Sequence, residues 1–345
     1  MIPGTVRLRQ TPPWQTALAR AITDPAELLE AVGLGPQLLP AALAAARDFP
    51  LRVPRGFVTR MARGNPEDPL LRQVLPLDAE LQSTPGYGPD PVGDLAARAG
   101  AGVLRKYHGR ALLVATGACA VHCRYCFRRH FPYGQSGAAA GHWGEALARV
   151  GADVSEVILS GGDPLMLPDW RLEELVDGLR AFPQVRRLRI HSRLPVVLPE
   201  RVDDGFLDWL ARIPLQKVLV VHANHPHEID ASVSRAFARI RESGTTLLNQ
   251  SVLLRGVNDD ASSLAALSEA LFAAGALPYY LHMLDPVQGA AHFEVGETVA
   301  RSLMAQLAAR LPGYLVPRLV REIPGADSKT VLAACSGATA QPPGR

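Results

Sequence analysis

The sequence predicts an α/β fold: an incomplete (β/α)6 barrel with a mainly helical N-terminal extension and a short C-terminal segment. Three observations carry this. From about residue 110 onward, short β-rich runs alternate with helix-length stretches. The polar residues able to do chemistry gather just past the ends of those runs. The first 100 residues differ in kind, being rich in proline and alanine with no such alternation.

We divide the chain accordingly at 1–100, 101–312 and 313–345. In the extension the clearest element is a helix over 26–32: Asp24 can cap it, Pro25 suits its first turn, and Gly33 ends it. The stretch 64–69 is turn chemistry. The six β-rich runs of the barrel are 111–116, 154–160, 185–191, 217–222, 245–253 and 277–283. Helices are expected near 140–150, 169–181, 203–212, 229–242, 260–274 and 297–310. Repeated βα units with right-handed crossovers imply a parallel sheet. A doubly wound open sheet is the alternative arrangement. A further β-rich run, 314–322, leads into a glycine-containing loop near the C-terminus.

The bulk numbers exclude several classes of function. With 345 residues, 48% of them hydrophobic, the chain can bury a large core. A net charge of +3 is too mild to imply a nucleic-acid partner. No apolar run approaches the ~18 residues of a membrane span, and the opening Met1-Ile2-Pro3-Gly4 has no signal-peptide pattern. The expected compartment is the cytosol. Three of the four cysteines, Cys119, Cys123 and Cys126, fall within eight residues; the fourth, Cys335, stands alone. That spacing suits a metal better than a disulfide framework.

Past the first β-rich run lies the cysteine group, and past the second Ser160-Gly161-Gly162-Asp163-Pro164. Ser192-Arg193 follows the third, His222-Ala223-Asn224-His225 the fourth, Asn258-Asp259 the fifth and Asp285 the sixth. Barrel enzymes place their active sites at this end of the strands. Three thiolates on a four-iron cubane leave one iron open to another ligand. A zinc ion is the competing reading, but structural zinc takes four ligands, and the fourth would have to come from a histidine such as His122, His130 or the His222/His225/His227 group. Tyr125, beside the third cysteine, is placed to flank a bound cofactor or to pack in the core.

The motif Cys-Ala-Val-His-Cys-Arg-Tyr-Cys, followed one βα unit later by Ser-Gly-Gly-Asp-Pro, resembles the radical S-adenosylmethionine (SAM) superfamily. The resemblance implies a radical-SAM barrel whose [4Fe–4S] cluster chelates SAM at its open iron, with Tyr125, Gly161, Gly162, Asp163, Ser192, Arg193 and His222 on the SAM side. Bare backbone at Gly161-Gly162 would let the methionyl group approach.

Cys126-Phe127-Arg128-Arg129, 192–199, 222–226, 249–259 and Tyr279-Tyr280 together resemble the lysine 2,3-aminomutase family, over roughly 85–335 in the same order. The resemblance implies pyridoxal phosphate (PLP) held as a Schiff base on Lys329, in Pro324-Gly325-Ala326-Asp327-Ser328-Lys329. The chain has just three lysines, Lys106, Lys217 and Lys329, and an imine needs a primary amine that can lose its proton, which arginine does not offer. The resemblance further assigns Lys106, Tyr107 and Arg110 to the PLP phosphate and Arg128 to the substrate carboxylate. Asp259 and Asp285 fall to the ε-ammonium group. Taken alone, Asp259 reads equally as a helix cap and Asp285 as a turn.

Free-standing members of the family carry further cysteines that bind structural zinc in a longer tail, and no structural zinc is expected here. With the N-terminal pattern Trp14-Gln15, 49–54 and 68–76, this resembles the branch that makes (R)-β-lysine for elongation factor P. The resemblance implies free L-lysine as substrate, a flavodoxin- or ferredoxin-type electron donor, and a functional link to elongation factor P and its ligase.

Overall fold

The computed structural model describes residues 12–100, 102–135 and 143–334; Cys335 lies outside them. The chain opens with α1 (Pro13–Ala19), α2 (Pro25–Ala31), α3 (Leu39–Asp48) and α4 (Arg55–Val58). The helix expected at 26–32 is α2, begun one residue earlier by Pro25 and capped as anticipated, with Asp24 accepting from Ala26 N at 2.9 Å. Beyond α4 the extension runs mostly as turns, with a short 3₁₀ stretch, Asp78–Leu81, that carries Glu80.

One ten-stranded sheet follows, and its spatial order is its chain order. The strands are β1 (Arg98–Gly100), β2 (Val103–Leu104), β3 (Arg110–Thr116), β4 (Glu156–Gly161), β5 (Arg187–Ser192), β6 (Gln216–Val221), β7 (Thr246–Val252), β8 (Leu277–His282), β9 (Arg318–Arg321) and β10 (Thr330–Val331). All neighbours from β3 to β9 pair in parallel. The six expected βα units are β3 to β8 with their crossovers, and the further run at 314–322 supplies β9, where Leu319 and Val320 bury themselves beside β8. Antiparallel β1–β2 and β10 finish the two edges.

The crossovers are α5 (Trp143–Leu147), α6 (Asp169–Gly178), α7 (Leu194–Val197) with α8 (Asp204–Arg212), α9 (Ala231–Glu242), α10 (Ala261–Ala274) and α11 (Glu297–Arg310). They cover one face of the sheet. The extension shares their core, with Trp14, Leu28, Phe57 and Leu70 in one cluster with Val157, Leu188 and Phe206. Among the described residues no helix is long and apolar enough to cross a membrane.

The other face is the barrel interior, and it is polar. Alternation along β5 turns Arg187, Arg189 and His191 away from the buried Leu188 and Ile190. Arg189 meets Glu156 of β4 at 2.7 Å. On its open side, Gly88 bridges to Val287 just past β8. The chain then runs through Val92 and Asp94 to reach Lys106. This interior, open toward the strand ends, positions the site.

Candidate active site

The cysteine loop leaves the end of β3 and lies across the end of β4. A Cβ on Gly161 would stand 2.6 Å from Thr116 O, and one on Gly162 2.5 Å from Ala118 O. Gly161 also has a φ of +120°, which side-chain-bearing residues rarely adopt. Gly162 N and Asp163 N donate to Thr116 O and Ala118 O at 2.7 and 2.8 Å. The glycine pair is thus required by the backbone of the cysteine loop itself. The sequence reading gave that room to a ligand; here it belongs to the loop.

Asp163 is likewise committed to protein groups. Its Oδ1 accepts from Ser192 Oγ at 2.8 Å and Leu165 N at 3.0 Å, and its Oδ2 from Arg193 N at 2.7 Å and Leu194 N at 3.2 Å. Burial outweighs these bonds and pushes its carboxyl up to about 6. Asp163 and Ser192 tie the end of β4 to the end of β5.

Cys119, Cys123 and Cys126 are unpaired and half-buried. Burial raises the Cys119 thiol, with Cys126 and Cys123 adding to it, and pushes Cys126 up to about 11, with Cys123 adding. Among the described residues, no three Cys, His, Asp or Glu side chains close on a point as one ion would need. A cubane spreads its thiolates over separate irons, so it does not need them to close on one point as a zinc tetrahedron does. Every residue between Cys123 and Cys126 is anchored. Arg124, fully buried, makes a two-pronged bond to Glu80 at 2.8 and 2.6 Å. Tyr125 OH accepts from Asn224 Nδ2 at 2.7 Å. His122 is held by Pro50 O at 2.8 Å and stacks on Phe49.

A chain of alternating charges runs from this loop to the C-terminal segment. Arg128 donates through Nε to Asp94 Oδ2 at 2.6 Å and through Nη1 to Ser160 Oγ at 3.1 Å. Asp94 pairs with Lys106 Nζ at 2.6 Å, Lys106 with Glu322 at 2.7 Å, and Glu322 with Lys329 Nζ at 2.5 Å. Burial works to raise the carboxyl of Glu322, but Lys329 and Lys106 overcome it and hold it at about 2. For Asp94 burial is similarly outweighed by Arg128 and Lys106.

Asp285 faces the same chain. Burial, then Glu322 and Asp94, push its carboxyl up to about 7 against the pull of Lys329 and Lys106. Asp259 Oδ1 accepts from Gly256 N at 2.9 Å, in the turn ahead of α10. Glu322 is near enough to Asp285 to raise its carboxyl, second to burial. The sequence reading passed over it, although it ends a β-rich run and the strand-end rule applies to it equally. Asp259 holds its turn through Oδ1, and that bond leaves Oδ2 uncommitted.

Lys106 and Tyr107 do reach the site, Lys106 through Glu322 and Tyr107 with its phenol raised first by burial and then by Glu322. Arg110 sits at the start of β3 with its guanidinium 5.1 Å from the Tyr107 ring. A cavity of about 220 Å³ beside them is lined by Gly93, Lys106, Tyr107, Gly325 and Ala326. His222 bonds Gln250 at 2.9 Å and lies edge-on to His191. Burial pushes His222 and His282 down to about 3 and His191 well below its usual range, so all three are neutral imidazoles at pH 7. His191 and His282, each lowered further by Lys329, were not singled out from the sequence; their place at the ends of β5 and β8 is the signal that would have found them.

No protein-family model matches the chain. Among curated proteins it is similar to the L-lysine 2,3-aminomutase of Escherichia coli (strain K12), 51% identical over 92% of this chain and 94% of that one. It is 46% identical to the Haemophilus influenzae protein of the same name, over 96% and 99%. The protein of that name from Clostridium subterminale is 31% identical over 92% and 77%. Among solved structures, a radical SAM methyltransferase from Sphaerobacter thermophilus covers 64% of the chain at 21% identity and a TM-score of 0.46. At half-identity along almost its whole length, the chain belongs to the lysine 2,3-aminomutase family.

Proposed function

We propose that this chain is a radical-SAM, PLP-dependent isomerase that moves the α-amino group of free L-lysine to the β-carbon, and that its β-lysine serves to modify elongation factor P. The supporting observation is the single chain of charges that links the three-cysteine loop, through Arg128, to Lys329. SAM on the cluster supplies a hydrogen-abstracting radical, and PLP supplies the conjugated carrier through which an amino group can cross between neighbouring carbons.

The protein's own part is placement. Lys329 offers the primary amine that tethers PLP. Lys106, Tyr107 and Arg110 stand on the side of its phosphate. Arg128 has Nε and Nη1 engaged, which among the described residues leaves Nη2 to meet the substrate carboxylate. Asp285 and Glu322 receive the ε-ammonium at the other end. A cation arriving there ionises Asp285, whose carboxyl is otherwise held near neutrality by burial and Glu322. A site that pairs the carboxylate as well as the ε-ammonium selects free lysine, since a peptide-bound residue has no free α-carboxylate to offer Arg128. The neutral His191, His222 and His282 line the interior without adding charge beside Lys329.

The link to elongation factor P draws support from the N-terminal pattern 49–54 and 68–76, and a flavodoxin- or ferredoxin-type protein is the donor such a cluster requires. Anaerobically reconstituted protein given L-lysine, SAM, PLP and a reductant should accumulate β-lysine, and no conversion would refute the assignment. Deleting the gene should leave elongation factor P without its lysyl-type mass addition, restored by (R)-β-lysine. Unchanged modification would refute that destination.

A further inference from the structure

Gln73 belongs to the extension and is fully buried. Its Oε1 accepts from Arg193 Nη2 at 2.6 Å and from Asn224 Nδ2 at 2.9 Å, while its Nε2 donates to Pro69 O at 3.0 Å and Glu228 Oε1 at 3.1 Å. Its carbonyl accepts from Arg124 N, inside the cysteine loop, at 2.9 Å. Glu228, also fully buried, takes Arg193 Nη2 on Oε2 at 2.9 Å. Held from these two sides, the guanidinium puts Nη1 2.7 Å from Cys123 Sγ. The rings of Phe57 and Tyr125 flank it, each 5.6 Å away. Residues from the extension, from the end of β5 and from beyond β6 thus converge to fix one N–H on one sulfur. Both terminal nitrogens of Arg193 are engaged, Nη2 by Gln73 and Glu228 and Nη1 by Cys123, and this much buried polar structure around a single arm is a built arrangement.

We propose that Arg193 donates a hydrogen bond to the Cys123 ligand of the cluster, aimed there by Gln73 and Glu228, and that this contact raises the cluster's reduction potential. The proposal rests on the reading of Cys119, Cys123 and Cys126 as cluster ligands. Reduction adds negative charge to the cluster and its sulfurs, and a charged donor on one sulfur stabilises that state. Gln73 is the positioning residue, which makes the extension part of the electron-accepting apparatus. Lysine at 193 would bring charge without the planar fork that meets Gln73, Glu228 and Cys123 together.

The test is a reductive titration of the anaerobically reconstituted full-length protein, followed by the electron paramagnetic resonance of the reduced cluster. Iron and sulfide are measured on each sample. Arg193→Gln should hold a full cluster and titrate at a more negative potential than wild type. Gln73→Leu should shift it the same way by less, and Arg193→Lys should fall between wild type and Arg193→Gln. Full clusters at the wild-type potential in Arg193→Gln and Gln73→Leu would overturn the proposal. Where a variant takes up no cluster, the titration of those that do decides between the two results. A wild-type protein that takes up no cluster would instead overturn the reading of the cysteines.

Discussion

Replacing Glu322 by glutamine removes a negative charge from between two ammonium groups while keeping the side chain's shape. Glu322 accepts from Lys329 Nζ at 2.5 Å and from Lys106 Nζ at 2.7 Å, with its side chain only 15% exposed. Burial pushes its carboxyl up, yet the two lysines carry it from 4.5 down to about 2. At ~1.36 kcal/mol per pH unit, that displacement is worth about 3 kcal/mol to the folded protein at pH 7. The folded value is the lower one, so the stabilisation is complete above the unfolded value of 4.5 and is lost as pH falls toward 2. Urea unfolding followed by circular dichroism should therefore find Glu322→Gln less stable than wild type by about 3 kcal/mol at pH 7. Near pH 3 the gap should shrink to roughly half that. Equal midpoints and slopes at pH 7 would refute the reasoning, because the ion chain would then not depend on the charge of Glu322.

The other expectations concern chemistry. Asp285→Asn should lose kcat/KM for lysine by about 2–3 kcal/mol, the cost of a charge-assisted bond, while Asp259→Asn should stay near wild type; the reverse order would return the second acid to Asp259. Because the carboxyl of Asp285 sits at about 7 without the substrate's ammonium beside it, the KM for lysine should fall as pH rises from 6 to 8. Asp285→Asn should flatten that profile, and a sloping one in the variant would assign the titration elsewhere. Borohydride reduction of the PLP-loaded protein, followed by peptide mapping, should leave the pyridoxyl label on Lys329, and a label on Lys106 or Lys217 would contradict the tether. Alanine at Cys119, Cys123 or Cys126 should abolish the brown colour and the reductive cleavage of SAM. A colourless, active protein with stoichiometric zinc would sink the cluster.

The features legible in the sequence were those whose cause is local. Alternation of β-rich and helical runs placed β3 to β8 within a residue or two, since parallel strands and their crossovers each leave their own periodicity. The cysteine spacing and Asp24-Pro25 are equally local. What escaped was set by partners distant in the chain. Asp94 sits in an unremarkable turn-rich stretch, and nothing near it in sequence says that it bridges Arg128 and Lys106. Glu80 and Gln73 look like polar residues of a surface extension, yet both are buried against the cysteine loop. The glycine pair was read correctly as a demand for bare backbone. Which neighbour made the demand was decided by three-dimensional contact with Thr116 and Ala118.

The sequence reading's choice of Asp259 and its silence on Glu322 have one cause. Both acids end β-rich runs, so position along the chain cannot rank them. Surroundings can. Asp259 meets a backbone N–H at a turn, whereas Glu322 lies between Lys106 and Lys329 and adds to the burial that raises the carboxyl of Asp285. Two acids and two cations at close quarters, with Arg128 and Asp94 continuing the series, leave the pocket nearly balanced in charge. One further ammonium group is then welcome, since Asp285 can ionise to meet it. A pocket so composed favours a substrate that carries its own terminal cation, and among the amino acids whose carboxylate would suit Arg128 at the other end, lysine is the one with a primary ammonium.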